Sequence, residues 1–184
     1  IVAAGYGMTN EHKLEYYYPD HWFAHFELPY DLKKIIHDMR ELVVVFDDVH
    51  LALGSLKEDF PLIVLSNSPI EFIEMKMNVE NLGGLFTETI SAVSDYKMVK
   101  RDPEIYHKIM KRFGVKADEV VHVGDHFNFD FEAAKQAGMH AFWLNHDHTI
   151  TGEHVVHSMT EFANKVFELA GMDKWVEKPN TSKK

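Results

Sequence analysis

The residues best equipped for chemistry lie at three turns of this chain. Between Val120 and Gly138 (VVHVGDHFNFDFEAAKQAG) a short apolar run ends in Gly124-Asp125. Asp130 follows, and then an Ala-rich stretch that closes at Gly138. That layout puts two carboxylates where a buried strand meets a helix, the place at which open α/β sheets bind ligands. Two carboxylates at one strand end repel each other unless a cation or a proton separates them. Mg²⁺, a hard cation with oxygen ligands, suits the pair. The same layout also serves as a plain acidic turn, with Asp125 accepting backbone N–H groups and Asp130 in the first turn of a helix. At a second apolar run, Leu65-Ser66-Asn67-Ser68 joins a hydroxyl to the start of a helix, a combination suited to a phosphate or another oxyanion. At the third turn, Lys100 precedes Asp102-Pro103 and can project a point charge into a site. Taken singly, Ser66 reads more readily as a plain turn residue, and Lys100 as part of a solvated basic loop.

The elements that would position these groups follow from period and caps. Leu62 to Leu65 is short and fully apolar, as expected of a parallel strand covered on both faces. Ser68-Pro69-Ile70-Glu71 reads as a capping box opening a helix to about Val79. Thr89–Val93 is expected as a strand. A helix is expected from Asp102-Pro103 to Gly114, with Ile105, Tyr106, Ile109, Met110 and Phe113 on its buried face. Val120–Val123 should be a strand, about Phe129 to Ala137 a helix, and Ala141–Leu144 a strand. Ser158-Met159-Thr160-Glu161 should open a last helix, to about Ala170. From Pro61 onward the order β-α-β-α-β-α-β-α predicts a parallel, right-handed, doubly wound Rossmann-like α/β sheet. Upstream, Tyr16–Tyr18 and Trp22–Phe26 read as helical pieces, and Asp31 opens a helix to about Leu42 with Leu32, Ile35, Ile36 and Met39 on one face.

Composition narrows the partners. With 184 residues, 46% hydrophobic and 26% charged, the chain is long enough for one domain with a real core. A formal net charge of -10 argues against nucleic acid or an anionic membrane as partner. An anionic substrate would then need a metal, a Lys or helix N-termini. The absence of cysteine excludes disulfides, thiolate zinc sites and a cysteine nucleophile, and is compatible with the cytoplasm. No apolar run reaches transmembrane length. His146-Asp147-His148 alternates metal-ligand types, but so short a spacing reads as a solvated loop rather than a closed transition-metal site. His126 either touches substrate or faces solvent.

Taken together and in order, the three turns resemble motifs of the haloacid dehalogenase superfamily of hydrolases, over roughly residues 43–170. Leu65-Ser66-Asn67-Ser68 matches the second motif, Lys100 with Asp102-Pro103 the third, and Gly124-Asp125 with Asp130 the fourth. The resemblance implies a Rossmann-like core (43–172), a helical cap of which 1–42 would be a part, and a disordered tail over 173–184. It implies a monomeric or homodimeric cytoplasmic hydrolase of small phosphorylated molecules, acting through a covalent aspartyl intermediate. Ser66 and Asn67 would bind the phosphoryl oxygens, Lys100 would neutralise charge on nucleophile and phosphate, and Asp125 would ligate Mg²⁺. Asp130 would ligate it through water or orient the loop. These roles fit phosphoryl transfer, where positioning and charge neutralisation do most of the work.

Two departures matter. The family's first motif, an apolar strand ending in Asp-x-Asp, has no match in residues 1–30. In Val43-Val44-Val45-Phe46-Asp47-Asp48 the acids are adjacent, and Asp47 lies too close to Ser66 to admit a cap. This segment reads as the crossover into a helix with Leu51, Leu53 and Leu56. The nucleophile is therefore expected upstream of Ile1, on a strand at the centre of the sheet. Alternatives are a truncated, non-catalytic domain or a sheet repaired by another segment. The second departure is toward the 2-haloacid dehalogenases, which Leu-Ser-Asn and Tyr106, six residues after Lys100, resemble. Tyr106 would then contact substrate. The Gly124-Asp125 pair instead matches the metal-dependent phosphatases, and an extra acid beside a carboxylate nucleophile disfavours a haloacid.

Overall fold

The computed structural model describes residues 13–177. Its strands are β1 (Ile63–Ser66), β2 (Glu88–Ser91), β3 (Val121–Gly124), β4 (His140–Leu144) and β5 (Val155–Val156), and every strand pair is parallel. The expected Rossmann-like α/β architecture is present. The strands nevertheless fall into two sheets, β1-β2 and β3-β4-β5, rather than one. No ladder joins β1 to β3 among the described residues, and all four residues of each of these strands are only part-buried. A central strand of a doubly wound sheet is ordinarily buried on both faces. Among the described residues, β1 and β3 each have a strand neighbour on one side only.

Helices cover both faces. On one side α3 (Val49–Lys57) and α8 (Met159–Leu169) pack Ala52, Leu56, Phe162, Ala163, Val166 and Phe167 against Phe142 and Val156. On the other, α6 (Glu104–Phe113) and α7 (Ala133–Gln136) bring Ile105, Tyr106, Met110, Ala133 and Ala134 onto Ala141. The remaining α-helices are α1 (Pro19–His25), α2 (Leu32–Arg40), α4 (Ile70–Met77) and α5 (Ala92–Tyr96). Neither α1 nor α2 has a fully buried residue.

The boundaries differ from expectation where long-range bonds outrank local signals. Ser68 does not cap α4. Ser91 is the N-cap of α5, a helix the sequence concealed within an expected strand, and Ser94 of α5 accepts the Ile70 N–H at 3.0 Å. Ser158 does cap α8, accepting from Glu161 N at 3.1 Å. Val43–Phe46 forms no strand. Asp48 instead binds the first turn of α8, accepting from Thr160 N at 3.0 Å, while Phe46 stacks on His146 with ring centres 4.2 Å apart. Of the tail expected to be disordered, residues 173–177 are docked. Val176 is buried and exchanges two hydrogen bonds with the Asn164 side chain, and Lys174 pairs with Glu58 and Asp59. The rest of that tail, like residues 1–12, lies outside the described residues.

Candidate active site

Two strand-to-helix turns and the loop between α5 and α6 meet at the C-terminal ends of β1 and β3. Ser66 closes β1, and its Oγ accepts the Ser68 N–H at 3.1 Å. The hydroxyl proton is thus left to donate to an incoming oxyanion. Lys100 reaches in from the loop before α6 with its side chain only 11% exposed. Its Nζ donates to Leu65 O of β1 at 3.0 Å and pairs with the Asp130 carboxylate. The lysine therefore ties the two sheets together at their facing edges.

Asp130 is brought there by a π-helix, Phe127–Glu132, a form found mostly as single turns at functional sites. The His126 imidazole starts this turn by accepting from Phe129 N at 3.4 Å, and its ring stacks on Phe129 at 3.8 Å. His126 is thus part of the turn's scaffold. Asp130 folds back over Gly124 so closely that a Cβ at Gly124 would lie 2.6 Å from the Asp130 Cβ. Glycine is required here by space, not by backbone angle.

The Asp130 carboxylate is saturated. Oδ1 takes Lys100 and faces His122 Nε2 at 3.4 Å, and Oδ2 accepts His126 N at 3.1 Å. Burial alone would raise its pKa. The His122 hydrogen bond and the Lys100 charge outweigh burial and hold the carboxyl well below the usual carboxylate range. Both oxygens accept from protein donors, so the carboxylate holds Lys100 and the start of its own turn together.

Asp125 is the opposite case. It is exposed, only its backbone carbonyl is engaged (by Trp143 Nε1, 2.9 Å), and its carboxylate has no hydrogen bond or ion pair among the described residues. A hard oxygen donor facing solvent at a strand end fits Mg²⁺, which keeps several waters and takes only one or two protein carboxylates alongside substrate phosphate. Among the described residues no cluster of three or more His, Asp or Glu could hold a metal unaided. That includes His146-Asp147-His148, where Asp147 is turned onto Thr149.

Two expected substrate contacts are corrected. Tyr106 is 1% exposed, and its hydroxyl donates to Phe129 O at 2.5 Å. Burial, and then the Asp130 charge, push the phenol pKa far up, so Tyr106 stays a neutral strut beneath the π-helix. Asn67, 8% exposed, spends its amide inside the protein. Its Oδ1 accepts Lys100 N at 2.8 Å, and its Nδ2 donates to Tyr17 Oη at 3.4 Å. One residue escaped sequence reading: His122, whose ring lies between Asp130 and the Tyr106 hydroxyl, 3.3 Å from the latter. The period-2 signal was available. His122 and Gly124 share a strand face, and Asp130 folds over that face. Burial lowers the His122 pKa, the Asp130 bond opposes this, and the Lys100 charge adds to the lowering.

The fold agrees with the comparisons to known proteins. The family described as haloacid dehalogenase-like hydrolase matches residues 9–138, and the chain belongs to it. Among curated proteins, the chain is 34% identical over 73 residues to haloacid dehalogenase-like hydrolase domain-containing protein 3 of Danio rerio, covering 36% of this chain and 30% of that protein. It is 33% identical over 85 residues to a glyceraldehyde 3-phosphate phosphatase of Pyrococcus furiosus (46% and 34% covered). It is 30% identical over 103 residues to the pyrophosphatase PpaX of Bacillus velezensis (55% and 46% covered). The chain thus spans from under a third to under half of these relatives' lengths. Among solved structures, a HAD phosphatase from Thermococcus onnurineus superposes with a TM-score of 0.74 at 22% identity, over 83% of this chain and 72% of that one. A 2-haloacid dehalogenase from Pseudomonas syringae gives 0.63 at 23%, over 92% and 76%. At such identities the structures speak for the fold alone.

Proposed function

We propose that this chain is part of a cytoplasmic, Mg²⁺-dependent phosphatase of small phosphorylated metabolites, whose nucleophilic Asp lies on a strand upstream of Ile1. The observation that carries this reading is the exposed Asp125 carboxylate at the end of β3, without a partner among the described residues, on the turn whose Asp130 is tied by Lys100 to Leu65 of β1. A strand seated between those edges would end beside Lys100, Ser66 and Asp125. A carboxylate at its tip would attack phosphorus as the P–O bond to the leaving group breaks, and water would then cleave the resulting acyl phosphate.

In that reaction Lys100 offsets the charge of nucleophile and phosphoryl group, Ser66 donates to a phosphoryl oxygen, and Asp130 holds the lysine and the Asp125 loop in place. Bound Mg²⁺, held by Asp125 and the upstream carboxylate, would neutralise charge on the transferring group. Asp125 also weighs against a haloacid substrate, whose carboxylate would meet an unpaired negative charge. The 33% and 30% identities to a sugar-phosphate phosphatase and a pyrophosphatase lean the same way.

The test is an assay of the protein with its native upstream sequence, on p-nitrophenyl phosphate and on 2-chloropropionate, with Mg²⁺ and with EDTA. Phosphate release that needs Mg²⁺ and disappears in Asp125→Asn, with the thermal transition unchanged, is expected. Halide release that persists in EDTA, or an upstream sequence without an acid at a strand end, would overturn the reading.

A further inference from the structure

The N-terminal segment is fastened to the turns that carry the site. Leu14, Tyr17 and Tyr18 pack on Val93, Val99 and Phe129. Val99 adjoins Lys100 and Phe129 adjoins Asp130, so this short 3₁₀ segment (Leu14–Tyr17) and the residue after it lie against both loops. Tyr18 Oη donates to Val93 O at 2.8 Å, and the Lys97 ammonium lies over the Tyr18 ring. The Tyr17 hydroxyl instead meets Asn67 Nδ2 at 3.4 Å, while Asn67 Oδ1 accepts the Lys100 N–H at 2.8 Å.

An asparagine amide can be turned end for end, because its oxygen and nitrogen are similar in size. Turned over, Asn67 would aim an NH₂ at the Lys100 N–H, donor against donor, and the lysine backbone would lose its partner. The Lys100 N–H, a donor only, therefore sets the orientation of the amide, and the Tyr17 hydroxyl, accepting from Nδ2, pins the side chain from the far side. We propose that Tyr17 is a positioning residue that acts through Asn67 to fix the backbone of Lys100, and so ties the alignment of the bridging lysine to the docked state of the N-terminal segment. The proposal rests on the reading of Lys100 as part of the site, but its geometry can be tested without activity.

The test uses amide hydrogen exchange of the 184-residue chain, resolved at Lys100 N–H, in wild type, Tyr17→Phe and Tyr18→Phe. Tyr17→Phe is expected to speed exchange at Lys100 about tenfold, the worth of one hydrogen bond, with β4 amides unchanged. Tyr18→Phe removes a hydroxyl from the same segment without touching Asn67 and should leave Lys100 protection within twofold of wild type. Equal effects of the two tyrosine variants, or an unchanged Lys100 amide in Tyr17→Phe, would overturn the proposal. If the upstream-extended enzyme proves active, Tyr17→Phe should lower kcat and leave KM for p-nitrophenyl phosphate within twofold. If it proves inactive, the exchange result still decides the matter.

Discussion

At the scale of single residues, the site separates groups that face outward from groups that hold them. Ser66 keeps a donor free because Ser68 N–H occupies the acceptor side of its oxygen. If the proposed phosphatase activity is found in the protein with its proposed upstream strand, Ser66→Ala should lower kcat about a hundredfold, the typical effect of removing one preorganised donor from a developing oxyanion. Steady-state kinetics on p-nitrophenyl phosphate checks this. His122 and Asp130 belong to the holding set, and both have pKa values lowered by the fold. A lowered pKa means that the unfolded chain binds the proton more readily, so stability rises with pH. The His122 contribution is complete above about pH 6.5 and declines as pH falls below that value. The Asp130 contribution is complete above about pH 4 and is lost further into acid. Thermal melts at pH 7.5 and 5.0 should show wild type losing more stability on acidification than His122→Asn, the twelve other histidines being common to both. An equal loss would remove His122 from the account.

At the scale of elements, the π-helix after β3 is the device that makes the site. It returns Asp130 over the end of its own strand, and only glycine at position 124 leaves room for the return. Gly124→Ala should therefore destabilise the chain by about 3 kcal/mol, at the upper end for overpacking, since the displaced group is a buried charged side chain. Urea unfolding measures this directly, and a loss below about 1 kcal/mol would mean that the π-turn shifts freely. This device also marks the limit of what sequence conveys. The apolar runs of β1, β3 and β4, the helix ended by Gly114 and the Ser158 cap are local signals, and each has its counterpart in the structure. So do the strand-end positions of Ser66 and Asp125. What stayed hidden depends on partners distant in the chain. Ser94 serves α4, Asp48 serves α8, Tyr106 turns inward beneath Phe129, and Asn67 faces Tyr17 fifty positions away.

At the scale of the whole molecule, the decisive feature is a parallel sheet in two parts. Parallel strands direct successive backbone N–H groups alternately to left and right, so a strand with one neighbour protects every second amide. β1 is paired only with β2, and β3 only with β4, among the described residues. Exchange protection in both strands should therefore alternate with a period of two, the amides turned toward the facing edges exchanging nearly as fast as exposed ones. β4, paired with β3 at positions 140–143 and with β5 at Trp143 and Leu144, should be protected more evenly where the two ladders meet. The measurement is native-state hydrogen exchange by NMR on the 184-residue chain and on the same chain with its upstream sequence. The alternation should vanish in the longer protein, because a strand seated between β1 and β3 protects the amides that the shorter chain leaves open. Uniform protection of β1 and β3 in the shorter chain would mean that its own backbone already fills the gap. The nucleophile would then have to come from within these residues or not at all.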